Sequence, residues 1–281
     1  MPSHSFRIVN VFTQGEDVLS GNPLCVFEDG SGFDTPRMQA LARQFNLSET
    51  TFILPSERAS ARVRIFTPSF EMPFAGHPTL GTAFVCRALG LGGDALTLEM
   101  GAGIIPVRAA GRSFTLEANP PRWREVVEPR PALAAMLGIA AEEIGERPLW
   151  VNAGREQLIV PLTSEPAVRR VRPEAAALAR FRSEEGASMV YVFAPGGEGR
   201  LRARFFFPQG PAVLEDPATG SATANLGGWW LALGRALPCR FDIAQGEQAG
   251  RPSQLRLEVD GERRILVSGD VIELGRGTIA L

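Results

Sequence analysis

A chain of 281 residues sits at the length where one hydrophobic core stops growing, so two domains of ordinary size are expected. Its 29 basic and 31 acidic residues are spread without a charged block or a Lys/Arg-rich run, which argues against nucleic acid as a partner and for small molecules. Three cysteines at unrelated spacings and only two histidines make disulfides and a zinc site equally unexpected.

The opening stretch, Met1-Pro-Ser-His-Ser-Phe-Arg-Ile-Val-Asn10, lacks the charged-then-apolar layout of a signal peptide. No apolar run approaches the roughly 20 residues of a membrane span. A cytoplasmic protein with no membrane partner is expected. A hairpin-like stretch precedes an Ala/Leu helix over about Pro36–Phe45 and an apolar strand ending at Pro55. In Arg62/Val63/Arg64/Ile65, charged and apolar residues alternate, which suits a strand with one wet face. A loop leads into a helix over Pro78–Leu89, with proline in its first turn and Gly90 past its end. Asn119-Pro120-Pro121 is the natural linker between halves. The second half takes the same order: a helix over Pro173–Phe181, an apolar strand ending at Pro195, alternation over Arg202–Phe205, and a helix over Pro217–Leu233 followed by Gly234. Leu255–Val259 and Ile265–Val267 flank Asp260-Gly261, a hairpin turn signal.

The chain is written twice. Arg62-Val-Arg-Ile-Phe-Thr-Pro68 reads against Arg202-Ala-Arg-Phe-Phe-Phe-Pro208, an offset of 140 residues that also aligns Ser48–Pro55 with Ser188–Pro195 and Thr79 with Thr219. The two later helices are poor in charge on every side, as helices are when buried, and a curled sheet threaded by each would bury them. Their starts, Gly76-His77-Pro78-Thr79-Leu80-Gly81 and Asp216-Pro217-Ala218-Thr219-Gly220-Ser221, are rich in small residues. Helix starts expose unpaired N–H groups and carry about half a positive charge, so each suits an anion. Taken singly, Asp216 reads as an N-cap and His77 as a satisfied loop histidine. At repeat-related places they suggest a clamp on one ligand at a domain interface.

These stretches, together with Gly21-Asn-Pro-Leu24, Glu49-Thr-Thr-Phe52, Phe74-Ala-Gly-His-Pro-Thr-Leu-Gly-Thr-Ala83, Glu215-Asp-Pro-Ala-Thr-Gly-Ser-Ala222 and Gln245-Gly…Gly250-Arg-Pro-Ser253, resemble the phenazine-biosynthesis (PhzF-like) family. The resemblance runs from about residue 6 to 269. It implies the α+β fold of diaminopimelate epimerase: two pseudo-symmetric domains, each a curled, mostly antiparallel sheet around a central helix. The domains would be 1–118 plus 270–281, and 122–269. It also implies a homodimer, no cofactor, and a cofactor-independent isomerase acting on a small anionic carboxylate. Glu49 would be the general acid/base, with His77 and Asp216 holding and polarising substrate. Gly76, Gly220 and Ser221 would contact it, joined by Thr219 and Asn22 from the same motifs.

The residues themselves agree with that assignment. Glu49 stands just ahead of an apolar strand, where Ser48 would also make it a capping glutamate, and its repeat partner is Met189. A carboxylate in one half only is what a symmetric scaffold shows after acquiring one-sided function. Carbon acids need a base with a pKa near the working pH, and burial raises a glutamate toward that range. The epimerase branch of the fold places a thiol at each helix start, where this chain has Gly76 and Asp216, so paired-cysteine racemisation is not expected. Two rival readings are a two-base epimerase using Glu49 and Asp216, and a non-catalytic small-molecule binder. Gly101-Ala-Gly103 and Gly196-Gly-Glu-Gly199 lack a dinucleotide fingerprint and a Walker lysine and read as turns. Asn10 replaces an aspartate expected in the family, at the anchoring of the first strand.

Overall fold

The computed structural model describes residues 2–281. The first part of the chain forms β1 (Ser3–Val11), β2 (Asn22–Phe27), α1 (Thr35–Phe45), β3 (Glu49–Leu54), β4 (Ala61–Phe66), β5 (Glu71–Met72), α2 (Gly76–Ala88), β6 (Ala95–Met100), β7 (Gly103–Ala110) and β8 (Ser113–Glu117). It continues through β9 (Arg122–Glu125), α3 (Arg130–Leu137), β10 (Leu149–Asn152), β11 (Glu156–Pro161), α4 (Glu165–Arg170), α5 (Ala175–Leu178), β12 (Val190–Pro195), β13 (Arg200–Gln209), β14 (Ala212–Asp216), α6 (Gly220–Ala232), β15 (Cys239–Gln245), β16 (Ser253–Val259) and β17 (Ile265–Ala280). This is a mixed α+β fold made mostly of strands. Two compact units divide it, Met1–Glu117 with Ser268–Leu281, and Ala118–Val267.

In the first unit the strands close a ring of eight, β1–β2–β3–β4–β6–β7–β8–β17 and back to β1, with β2–β3 and β4–β6 parallel. Helix α2 packs against seven of those strands, β1, β2, β3, β4, β6, β7 and β8. Its residues from Gly76 to Ala83 are all buried, which accounts for their lack of charge. Small residues permit this threading: a Cβ on Gly81 would stand 2.6 Å from Leu24 Cδ2 and 2.9 Å from Val11 Cγ2. Outside the ring, α1 is capped by Asp34, whose side chain accepts from the Arg37 N–H. It lays Met38, Leu41 and Ala42 on a cluster with Phe27, Phe52 and Phe66. Asn46, left-handed at φ 52°, ends α1 and turns the chain so that Glu49 begins β3.

In the second unit β9–β10–β11–β12–β13–β15–β16 follow one another across a curled sheet, with β11–β12 and β13–β15 parallel, and β14 forms a hairpin with β13. Helix α6 packs against β9, β10, β11 and β16. On the outer side Leu133, Leu137, Val168 and Phe181 join Trp150 and Val192 in a second core.

The internal registers of the two units reproduce the repeat. Leu54 stands opposite Arg62 and Thr50 opposite Phe66; Ala194 stands opposite Arg202 and Val190 opposite Phe206, each shifted by 140 residues. Arg64 grips Glu71 through two nitrogens, and Arg204 grips Glu215 in the same way. Here the shift becomes 144, because the hairpin beyond the Phe206–Glu215 pair is four residues longer than the one beyond Phe66–Glu71. Met72 opposite Ile65 therefore corresponds to Asp216 opposite Phe205, and the helix starts Gly76 and Gly220 correspond. The alignment of Gly76 with Asp216 and of Thr79 with Thr219 is thus corrected by a hairpin insertion. His77 and Ser221 become counterparts, each the second residue of its helix.

Element limits shift for local reasons. Pro78 is the third residue of α2, still inside the first turn, where no intrahelical N–H bond is lost. Pro217 lies outside α6, since the residue before a proline prefers extended backbone and Asp216 ends β14. The helix expected over Pro173–Phe181 shortens to α5, because the Glu174 carboxylate caps the N–H groups of Ala176 and Ala177.

Candidate active site

Helix α2 starts at an N-cap, Ala75, that has no side chain able to satisfy its first N–H groups. The second residue, His77, is 6% exposed. Its ring hydrogen-bonds the Pro23 carbonyl on β2, and Nε2 takes no part in a hydrogen bond, so the bond runs from Nδ1. A carbonyl only accepts, hence Nδ1 carries the proton and Nε2 presents its lone pair. That nitrogen lies 3.4 Å from Glu49 Oε2. Burial pushes His77 down to about 3, against the smaller opposing effect of Pro23, so the ring is neutral at physiological pH. The contact with Glu49 is therefore between a carboxyl and a neutral imidazole, not an ion pair.

Glu49 opens β3 opposite Leu24 of β2, and its side chain is 14% exposed. The preceding Ser48 hydroxyl donates to Asn22 Oδ1 at 3.4 Å, and Asn22 is fully buried at the start of β2. Asn22 thus holds the strand entry that carries Glu49. Further along, the Thr51 and Thr82 hydroxyls meet at 2.8 Å and tie β3 to α2. An open groove of about 410 Å³ lined by Arg62, Arg64, Glu71, Met72 and Met100 surrounds the Arg64–Glu71 pair and involves neither Glu49 nor His77.

In the second unit the Arg204–Glu215 grip, with Arg204 3% exposed, fixes the strand end that presents Asp216. Gln245 organises the loop that follows. Its Oε1 accepts the Thr219 N–H at 3.4 Å, so its Nε2 donates to the Asp216 carbonyl and to Thr219 Oγ1, both at 2.9 Å. The Thr219 hydroxyl then gives its hydrogen to Asp216 Oδ2 at 2.5 Å. Thr219 is the N-cap of α6, yet its side chain does not cap the helix. The first N–H groups of Gly220 and Ser221 remain outside the intrahelical ladder. Gly246, at φ +81°, has its place explained by contact: a Cβ there would run into the carbonyls of Arg251 and Pro217.

A match to the family model described as phenazine biosynthesis-like protein covers residues 9–276. The chain belongs to the phenazine biosynthesis-like family. An uncharacterized isomerase of Pasteurella multocida is 36% identical, over 98% of this chain and 94% of its own length. The trans-2,3-dihydro-3-hydroxyanthranilate isomerase of Pseudomonas aeruginosa is 37% identical, over 98% of both chains. The crystal structure of the Bacillus anthracis PhzF-family protein superposes with a TM-score of 0.88 at 22% identity, covering all of both chains, and speaks for the fold. Relatives named isomerases align across the full chain, and this member of the family is an isomerase.

The cysteines of this phenazine biosynthesis-like protein lie away from both helix starts. Burial pushes the Cys86 thiol up to about 12 and raises Cys25 further, so both stay protonated as core groups. Among the described residues no group of three or more His, Cys, Asp or Glu is arranged to hold a metal ion, and no helix is long and apolar enough to cross a membrane. Sequence reading missed Pro23, Gln157, Asn225 and Gln245 as organisers of the site. Gln157 left one trace, an amide directly ahead of the apolar run Leu158–Pro161.

Proposed function

We propose that this isomerase moves a proton between two carbons of a small cyclic carboxylate of the trans-2,3-dihydro-3-hydroxyanthranilate kind, with Glu49 as proton carrier. The contact between Glu49 Oε2 and the unprotonated Nε2 of His77 carries the reading. When the Glu49 carboxylate removes an allylic C–H proton, the electron pair enters the ring and the double bonds shift. The new carboxylic acid finds an acceptor lone pair beside it, so the protonated intermediate state of Glu49 is stabilised. Glu49 then delivers a proton to the far end of the conjugated system, and the product is an isomer with atoms and charge conserved.

Asp216, anchored through Thr219, suits a fixed acceptor for a substrate amine better than a mobile second base, which disfavours the two-base epimerase. The N–H groups at Gly76 and at Gly220–Ser221 are donors suited to anionic oxygens.

The experiment is turnover of trans-2,3-dihydro-3-hydroxyanthranilate by the purified protein and its Glu49→Gln variant. Rate should fall by at least about 100-fold while affinity for 3-hydroxyanthranilate, a stable aromatic analogue, is kept, as expected for loss of a general acid/base. In deuterium oxide the wild-type product should gain label at one carbon. Variant turnover within about tenfold of wild type overturns the role of Glu49.

A further inference from the structure

Ser221 is the counterpart of His77, and it too is gripped from a neighbouring strand. Gln157 Nε2 on β11 donates to Ser221 Oγ at 3.0 Å. Asn225, one turn along α6, donates from Nδ2 to Gln157 Oε1 at 2.8 Å and to the Arg155 carbonyl at 2.8 Å. Asn225 Oδ1 in turn accepts the Ala153 backbone N–H at 2.7 Å. Gln157 and Asn225 are each 1% exposed.

The direction of every bond in this chain follows from its backbone end. A peptide N–H only donates, so the Ala153 N–H selects the oxygen of Asn225, and the Asn225 amide nitrogen then faces Gln157 and the Arg155 carbonyl. Its hydrogen selects the oxygen of Gln157, which leaves the Gln157 nitrogen toward Ser221. A serine oxygen that accepts there keeps its own hydrogen for another direction. We infer that Gln157 is a positioning residue whose amide, polarised through Asn225 from the Ala153 N–H, makes Ser221 a hydroxyl donor toward an acceptor oxygen of the substrate.

This inference rests on the reading of Ser221 as a substrate contact. It goes beyond it by assigning the direction of that contact: the serine hydrogen, turned away from Gln157, is given to an anionic or carbonyl oxygen of the substrate. The first unit reaches the opposite polarity by the same construction. There an acceptor, the Pro23 carbonyl, grips the second helix residue and leaves it a lone pair. A donor grips the second residue here and leaves it a hydrogen.

Two measurements test the relay. Without ligand, the Gln157 side-chain amide signals, assigned by their loss in Gln157→Glu, should shift in Ser221→Ala; unmoved signals overturn the hydrogen bond. With ligand, affinity for 3-hydroxyanthranilate is compared across pH in wild type, Gln157→Glu, Ser221→Ala and the double variant. The introduced carboxyl group, when protonated, donates as the amide does, whereas its ionised form only accepts and turns the serine hydrogen inward. Relative to wild type, Gln157→Glu should bind nearly normally at low pH and about 10- to 100-fold more weakly at high pH, the range of one charge-assisted hydrogen bond. In the Ser221→Ala background that pH-dependent loss should vanish. Its persistence there would mark plain charge repulsion and overturn the relay. Failure of the wild type to bind overturns the substrate reading instead, and leaves the relay to be decided by the amide signals.

Discussion

His77 combines deep burial with a fixed tautomer, and both have consequences in solution. Its folded pKa of about 3 lies below the ordinary 6.5. The unfolded chain therefore takes up the proton first as pH falls. Stability from this group is unaffected above about pH 6.5 and declines below it until about pH 3, by up to about 1.4 kcal/mol per pH unit. Urea denaturation at pH 7 and pH 5 should show the wild type losing about 2 kcal/mol more than His77→Gln over that interval. Equal losses would mean that His77 titrates normally in the folded chain. Neighbouring residues divide the labour differently: Asn22 and Thr219, expected to face substrate, have side chains engaged with Ser48 and Asp216. Composition marks such residues as polar and near a motif; it does not say which partner their hydrogen bonds choose.

At the scale of elements, the buried helices depend on residues too small to clash. Alanine ordinarily favours a helix over glycine by about 1 kcal/mol. In α2 and α6 the rule should reverse. A Cβ on Gly81 would meet Leu24, and one on Gly228 would stand 2.7 Å from Val151 Cγ1 and 2.8 Å from Pro121 Cβ. Overpacking of this kind costs about 1–3 kcal/mol, so Gly81→Ala and Gly228→Ala should each show a net loss of up to about 2 kcal/mol in chemical denaturation. A gain in stability would show that the strands yield. The strand repeat was legible because alternation in Arg62–Ile65 and Arg202–Phe205 is local. The helix register was not, since the longer arms of the β13–β14 hairpin move it by four residues without any change in the neighbouring pattern.

For the whole molecule, closure of the first unit waits for the end of the chain. Strand β17 pairs with β1 through nine residues, Ser3 opposite Ala280 to Val11 opposite Val271, and also with β8. Truncation after Val267 would leave β1 and β8 as open edges. Hydrogen exchange should then show loss of amide protection in β1, β2 and β8, while β12 and β13, whose partners are intact, stay protected. Retained protection in β1 would mean that the ring is not needed for the unit to hold.

What the sequence determined by itself were the order of elements, the duplication, the uncharged character of the two inner helices, and Glu49, His77, Asp216 and Ser221 as the polar residues at strand entry and helix starts. The elements rest on periodicity, glycine placement and side-chain type within a few neighbouring residues, the duplication on the offset of 140 residues, and the choice of those four polar residues on the family resemblance as well. Only the tertiary structure decided the hydrogen's place on His77, the anchoring of Asp216 and the direction of the hydrogen bond that Ser221 accepts. Those properties belong to donor and acceptor pairs far apart in the chain, Pro23 with His77, Gln245 with Thr219, and Ala153 with Asn225. A hydrogen bond acquires its direction from both partners, and folding brings the second one.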